Sequence, residues 1–202
     1  FGQIMAGPLS KWEEDGLFFV VWPAFTYWTQ TGDDTYCKGK YLRHMEEGME
    51  WLETYCFDEE MGLFGRYFAN ETPFKGSHDF GYDYATGAPT GKWIIEHKGK
   101  PVTRTYDIYI NLYNYNVYLM LAAMTDGPKR QRYLEKARLL EENMRPFYMY
   151  DARIPSYGYV ETEDGNKELV DFDAIDHTDF VWPVSIAPFH PNFPATEQSM
   201  RK

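Results

Sequence analysis

Cysteine is scarce in this chain: Cys37 and Cys56 are the only two in 202 residues. The helical periodicity described below places them near the two ends of one helix. Nineteen residues at 1.5 Å each is about 28 Å, far beyond disulfide reach. Two free thiols are therefore expected, and the compartment stays open: secreted, periplasmic and cytoplasmic settings all fit. Long apolar runs are also missing. None reaches about 18 residues, so no membrane span is expected. Basic clusters are absent too. No Lys/Arg run exceeds two residues, and 31 acidic against 20 basic residues give a net charge of −11. Such a surface repels phosphate backbones, which argues against nucleic acid as a partner. Nor is there a dinucleotide fingerprint, since GSHDFG (76–81) is not GxGxxG. A serine nucleophile elbow is lacking, as are the HExxH and CxxC spacings of zinc sites. The chain opens on Phe1 with neither an initiator Met nor a signal sequence, which reads as an internal or processed start.

Aromatic residues, by contrast, are abundant. They make up 18% of the chain, and 17 are tyrosine. Tyr and Trp combine a stacking face with a polar tip, so the excess points either to a binding cleft or to an aromatic-rich core.

Residues 1–16 read as an irregular lead-in. Pro23 suits a first helical position, so a helix is predicted from Pro23 to Thr31. Gly32 closes it, and Asp33 or Asp34 caps the next, predicted over Asp34–Tyr55. In that second helix Tyr41, Leu42, Met45, Met49, Leu52 and Cys56 recur at three- and four-residue steps and form an apolar face, while Glu46, Glu47, Glu50 and Glu53 lie on the wet one. A tight turn and short strand follow over Phe57–Arg66, then a Gly-rich loop to Pro101. A third helix, apolar nearly all round, is predicted over Thr105–Met124 and a fourth over Lys129–Met144, ended by Pro146. A β-hairpin is predicted over Tyr157–Phe172, turning at Asp164-Gly165-Asn166. Val181-Trp182-Pro183 repeats Val21-Trp22-Pro23, so a fifth helix is predicted from Pro183. Helix starts near Pro23, Thr105 and Pro183 lie about 80 residues apart, a large repeating unit of helix, turn, helix and decorated loop.

The loop FKGSHDFGYDYATGAPTGKW (Phe74–Trp93) gathers His78, Asp79, Tyr82, Asp83, Tyr84 and Trp93. Glycine spacers let the backbone turn sharply and present such side chains. Carboxylates among aromatic rings suit sugar chemistry: flat faces for stacking, and an acid whose pKa burial can raise. On the third predicted helix, Asp107, Asn111 and Asn114 fall at i, i+4 and i+7 and form one polar stripe on a buried element. Their partners are either neighbouring loops or a ligand's hydroxyls. Asp173, Asp176, His177 and Asp179 form a second acidic cluster that caps a helix, binds hydroxyls or supplies a base. Its oxygens are enough for a structural Ca²⁺, but the EF-hand spacing is missing and no cofactor is expected. Trp22, Trp28, Trp93 and Trp182 are stacking candidates or ordinary core tryptophans.

The stretch WPAFTYWTQTGDDTYCKGKYLRHMEEGMEWL, the following DEEMGLF (58–64) and GSHDFGYDYATG before a helix rich in Asn and Tyr resemble six-hairpin glycosidases, the (α/α)6-toroid glycoside hydrolases. The likeness covers most of 17–190. It implies a mainly α fold of antiparallel helical hairpins (about 17–56 and 105–145, a third starting near 183) with short β-hairpins in the loops, the whole of 1–202 being part of one incomplete toroid. It further implies a glycosidase acting on an oligo- or polysaccharide. Asp83 is then the general acid and Asp79 the reserve. Trp22, Trp28, His78, Tyr82, Tyr84, Trp93, Asp107, Asn111, Asn114, Asp176, His177, Asp179 and Trp182 are candidates for the sugar pocket. Hydrolysis needs two flanking carboxylates; on this reading the second comes from the Asp173–Asp179 cluster or, if the chain is a piece of a longer one, from beyond Lys202. The alternatives are a non-catalytic carbohydrate-binding scaffold and a sugar epimerase or isomerase using His78 or His177.

Overall fold

The computed structural model describes residues 16–67, 82–83, 88–89, 96–149 and 158–170. The elements in chain order are α1 (Phe18–Thr31), α2 (Gly39–Tyr55), β1 (Phe57–Asp58), β2 (Leu63–Phe64), β3 (Arg66–Tyr67), β4 (Tyr82–Asp83), β5 (Ala88–Pro89), β6 (Glu96–His97), β7 (Lys100–Asp107), α3 (Ile108–Met124), α4 (Gly127–Met149), β8 (Gly158–Thr162) and β9 (Lys167–Val170).

The centre of the molecule is α3. Its sequence IYINLYNYNVYLMLAAM carries no charge, and it is buried along almost its whole length. Such a helix needs cover on every side. α4 packs on it after a two-residue link, α1 leans on a second side, and α2 and β2 close others. Met45, Met49 and Leu52 of α2 and Tyr133, Ala137, Leu140 and Met144 of α4 fill the core between them. Polar ties run round its rim. Glu53 of α2 accepts from Tyr118 at 2.9 Å and from Arg132 of α4 at 2.6 Å. Glu46 accepts from Lys129 at 2.8 and 2.9 Å, so this carboxylate, assigned by periodicity to the wet face, is buried. Tyr41, assigned to the apolar face, is exposed.

The second layer is a five-stranded antiparallel sheet organised on β7. β3 pairs with it at Arg66↔Thr105, β8 at Tyr106↔Tyr159, and β9 continues from β8. β6 folds onto the start of β7 through Lys98 and Gly99, both at positive φ, the backbone of a tight hairpin turn. β1 and β2 form a separate hairpin whose turn is set by Asp58: its Oδ1 accepts from the backbone N–H groups of Glu60 and Met61. Gly62 in that turn is at φ 62°, and a Cβ there would stand 2.1 Å from Asn143 of α4. Only glycine fits.

These elements correct several expectations, and foremost the fold class. Among the described residues the chain builds four helices and three small antiparallel sheets, a mixed α and β arrangement rather than an (α/α)6 toroid. The main helical neighbour of α1 is α3. Residues 100–107, expected as loop and helix start, are instead the strand to which most of the sheet is joined. α1 begins at Phe18, five residues before Pro23, because burying Leu17, Phe18 and Val21 outweighs the interior proline. Asp33 does not cap α2. Its Oδ1 is engaged by Thr35 and its Oδ2 by Tyr27, so α2 starts later, at Gly39. α4 runs through Pro146. The hairpin turning at Asp164-Gly165-Asn166 is formed, with Gly165 at φ 77°. Cys37 and Cys56 are both buried, and neither is in a disulfide. No described helix is long and apolar enough to cross a membrane.

Candidate functional site

The segment carrying the proposed acid leaves the sheet from β3 and returns to it at β6. Both strands pair with β7, so residues 67 and 96 are held on one frame. Within the segment, β4 pairs with β5 at Tyr82↔Pro89 and Asp83↔Ala88. The backbone of Tyr82 and Asp83 is thus fixed in a short ladder. Chemistry-bearing loops are usually presented in this way, by a rigid scaffold. Asp79, His78, Tyr84, Trp93, Asp173, Asp176, His177, Asp179 and Trp182 lie outside the described residues.

The polar stripe of α3 separates into three different groups. Asp107 is the N-cap: its Oδ1 accepts from the Ile110 N–H at 2.8 Å. Asn111 binds the backbone of β2, accepting from Phe64 N–H at 2.8 Å and donating to Phe64 C=O at 2.9 Å; its Nδ2 also donates to Asp107 C=O. Both residues are used within the fold, so their pocket assignment gives way to the neighbouring-backbone reading. Asn114 is different. It is 1% exposed, and its Nδ2 meets no acceptor among the described residues. A buried donor left unmade costs about 1–3 kcal/mol, so this amide is the member of the stripe that a ligand oxygen would satisfy.

Of the tryptophans, Trp28 packs against the core, edge-on to Phe25 at 5.9 Å. Trp22 does not open its helix. It lies inside α1, stacked on Phe18 at 5.5 Å, with its other side in solvent.

A further cluster, with no local signal in the sequence, forms where the β1–β2 turn meets β7, β8 and β9. Asp58 Oδ2 accepts from Tyr106 at 2.5 Å, Arg104 at 3.0 Å and Lys167 at 3.5 Å. The Tyr106 hydroxyl also stands 2.9 Å from Glu161 Oε2, and Lys167 reaches Glu60 at 3.2 Å. Arg104 donates to Cys56 C=O and lies over the Tyr106 ring at 4.7 Å. Burial works to raise the Asp58 carboxyl. The Tyr106 hydroxyl, the Met61 N–H and the Arg104 and Lys167 cations outweigh it, and the carboxyl ends below its usual range. Burial and then the hydrogen bond to Asp58 push the Tyr106 phenol upward. Two close carboxylates are the raw material of glycoside hydrolysis. Here, however, one phenolic hydrogen is shared between them and the ring oxygen fills the gap where a glycosidic bond would have to sit. The cluster is a lock between the β1–β2 turn and the sheet, and it stiffens the frame from which the loop departs.

Among the described residues no group of three or more His, Cys, Asp or Glu side chains converges as a metal site would require. No family model matches the chain, and neither a curated protein nor a solved structure matches it.

Proposed function

We propose that this chain hydrolyses a glycosidic bond of an oligo- or polysaccharide, with Asp83 as general acid and Asp79 in reserve. The observation that carries the reading is the framing of the Asp83 segment: both of its ends are held on β7, and Asp83 itself is held in the β4–β5 ladder. A general acid must be positioned before its pKa matters. The composition of the loop supports it further, since Asp83 is flanked in sequence by Tyr82 and Tyr84, rings that stack on sugars and raise a neighbouring acid by desolvation. Asn114 adds an unfilled buried donor suited to a hydroxyl or ring oxygen.

Release of reducing sugar from a panel of soluble polysaccharides tests this reading. Asp83→Asn is expected to lower turnover about 10²- to 10⁴-fold with an unchanged melting temperature. Near-normal turnover removes Asp83 from the role and moves the test to Asp79→Asn. Saturable glycan binding by the parent chain without turnover supports the non-catalytic scaffold instead.

A further inference from the structure

β6 is two residues long and pairs with β7 alone. A ladder that short is marginal by itself. Its turn adds strain: Lys98 lies at φ 53°, the one non-glycine at positive φ among the described residues, where Asn or Gly sits with ease. What the lysine gains is reach. Its Nζ donates to both oxygens of Glu168 on β9, at 2.5 and 2.7 Å, and His97 Nε2 stands 3.1 Å from the same carboxylate. β9 is not a hydrogen-bonded neighbour of β6 in the sheet, so side chains make the join. Beside this contact Lys100 pairs with Asp164 in the β8–β9 turn, and the Glu163 N–H donates to the Pro101 C=O at 3.0 Å. One hairpin tip is therefore basic and the other acidic. The neighbouring charges on β8 and β9 are turned elsewhere, Lys167 to Asp58 and Glu60, and Glu161 to Tyr106.

We propose that His97, Lys98 and Glu168 are an electrostatic clasp that shuts the β6–β7 hairpin on the β8–β9 hairpin and tightens when His97 takes up a proton. A neutral imidazole already offers one N–H to Glu168. The imidazolium adds a positive charge at the same place, and a charge-assisted hydrogen bond is about twice as strong as a neutral one. Lys98 is 67% exposed and contributes little on its own, whereas the His97 side chain is 14% exposed and less screened. Histidine is the side chain that changes charge within the physiological range, so it is the member of the clasp that answers mild acid. Strong acid works the other way. Lys98 first, and then His97, hold the Glu168 carboxyl below its usual range. Its share of the closure is therefore complete above the ordinary glutamate value of about 4.3 and is lost as pH falls through the lower closed value. Asp164, drawn down to about 2 by Lys100 and Thr162, follows. The clasp is thus tightest at mildly acid pH. β6 is the strand at which the segment leaving β3 re-enters the sheet, so the clasp sets how firmly residue 96 is held, whatever that segment does.

Backbone hydrogen exchange of the whole chain by NMR tests the clasp, followed at His97 and Lys100, which pair across the hairpin, together with the His97 ring signals. Protection is taken relative to an unstructured peptide of the same sequence. It is expected to rise about two- to fivefold as the ring signals pass from the neutral to the protonated form, and to fall again in strong acid. Added salt is expected to lower it. His97→Gln keeps a neutral hydrogen bond and is expected to abolish the rise while sparing the acid fall. Glu168→Gln is expected to abolish the rise, to lower protection throughout and to remove most of the salt effect. In that background Lys98→Asn is expected to raise protection, because only the preference of the turn remains. Melting temperature checks that each variant is folded, and the ring correlation and the salt response of the parent chain need no variant. Protection that does not follow the His97 ring overturns the proposal. So does a rise that survives His97→Gln or Glu168→Gln, or a hairpin indifferent to salt.

Discussion

Asn111 and Asn114 lie three residues apart on one buried helix and are opposites in their bonding. Asn111 satisfies both backbone groups of Phe64, whereas Asn114 leaves a donor empty. Replacing each by leucine separates fold from function. Asn111→Leu orphans two buried backbone groups and is expected to cost about 2–5 kcal/mol in urea unfolding. Asn114→Leu removes an unmet donor and is expected to change stability by less than about 1 kcal/mol, while lowering turnover if the proposed glycosidase reading holds. At the same scale, Asp58 sets an acid limb. Its folded pKa is depressed, so its contribution is complete above the ordinary carboxylate value of about 4 and is lost as pH falls through the lower folded value. Melting temperature followed from neutral to strongly acidic pH should therefore fall more steeply for the parent chain than for Asp58→Asn, the two curves converging at the acid end. Tyr106 adds the opposite limb. Its phenol is raised, so its contribution holds below the ordinary tyrosine value and is lost as pH climbs beyond it.

At the scale of the element, α1 shows how burial overrides local preference. Pro23 lies inside the helix, where it removes the N–H that would bond to the Phe19 carbonyl and crowds the preceding turn. Pro23→Ala restores that bond and is expected to raise stability by about 1–3 kcal/mol, measured as a shift in the urea midpoint. The same helix marks the limit of sequence reading. The proline signalled a start, but the apolar contacts of Leu17 and Phe18 with the core, invisible in a local window, moved that start upstream. β7 was hidden for a related reason. It passes directly into α3 at Asp107 with no Gly or Pro between them, so Thr105–Asp107 at the end of the strand read as the first turn of the helix. Asp107 was in view, but as a member of a stripe rather than as the cap that marks the boundary. The β8–β9 hairpin was legible because its turn chemistry is local and complete in Asp164-Gly165-Asn166.

The whole molecule is held by relations that no window of sequence displays. Asp58 meets Arg104, Tyr106 and Lys167 across separations of 46, 48 and 109 residues. Glu46 and Lys129 meet across 83. Composition announced an acidic, aromatic-rich chain, and periodicity located α2 and α4. The assembly of a five-stranded sheet on β7, and with it the departure from a ring of hairpins, follows from pairings of β7 with β3, β6 and β8 that no local pattern announces.

The buried thiols give this architecture an internal clock. Cys37 precedes α2 and hydrogen-bonds to Ala24 C=O at 3.4 Å, and Cys56 closes its far end. A thiol reagent reaches either sulfur only when that end of the helix opens. The modification rates of the two cysteines therefore time two separate events: the parting of α2 from α1, and its release from the hairpin that carries Asp58.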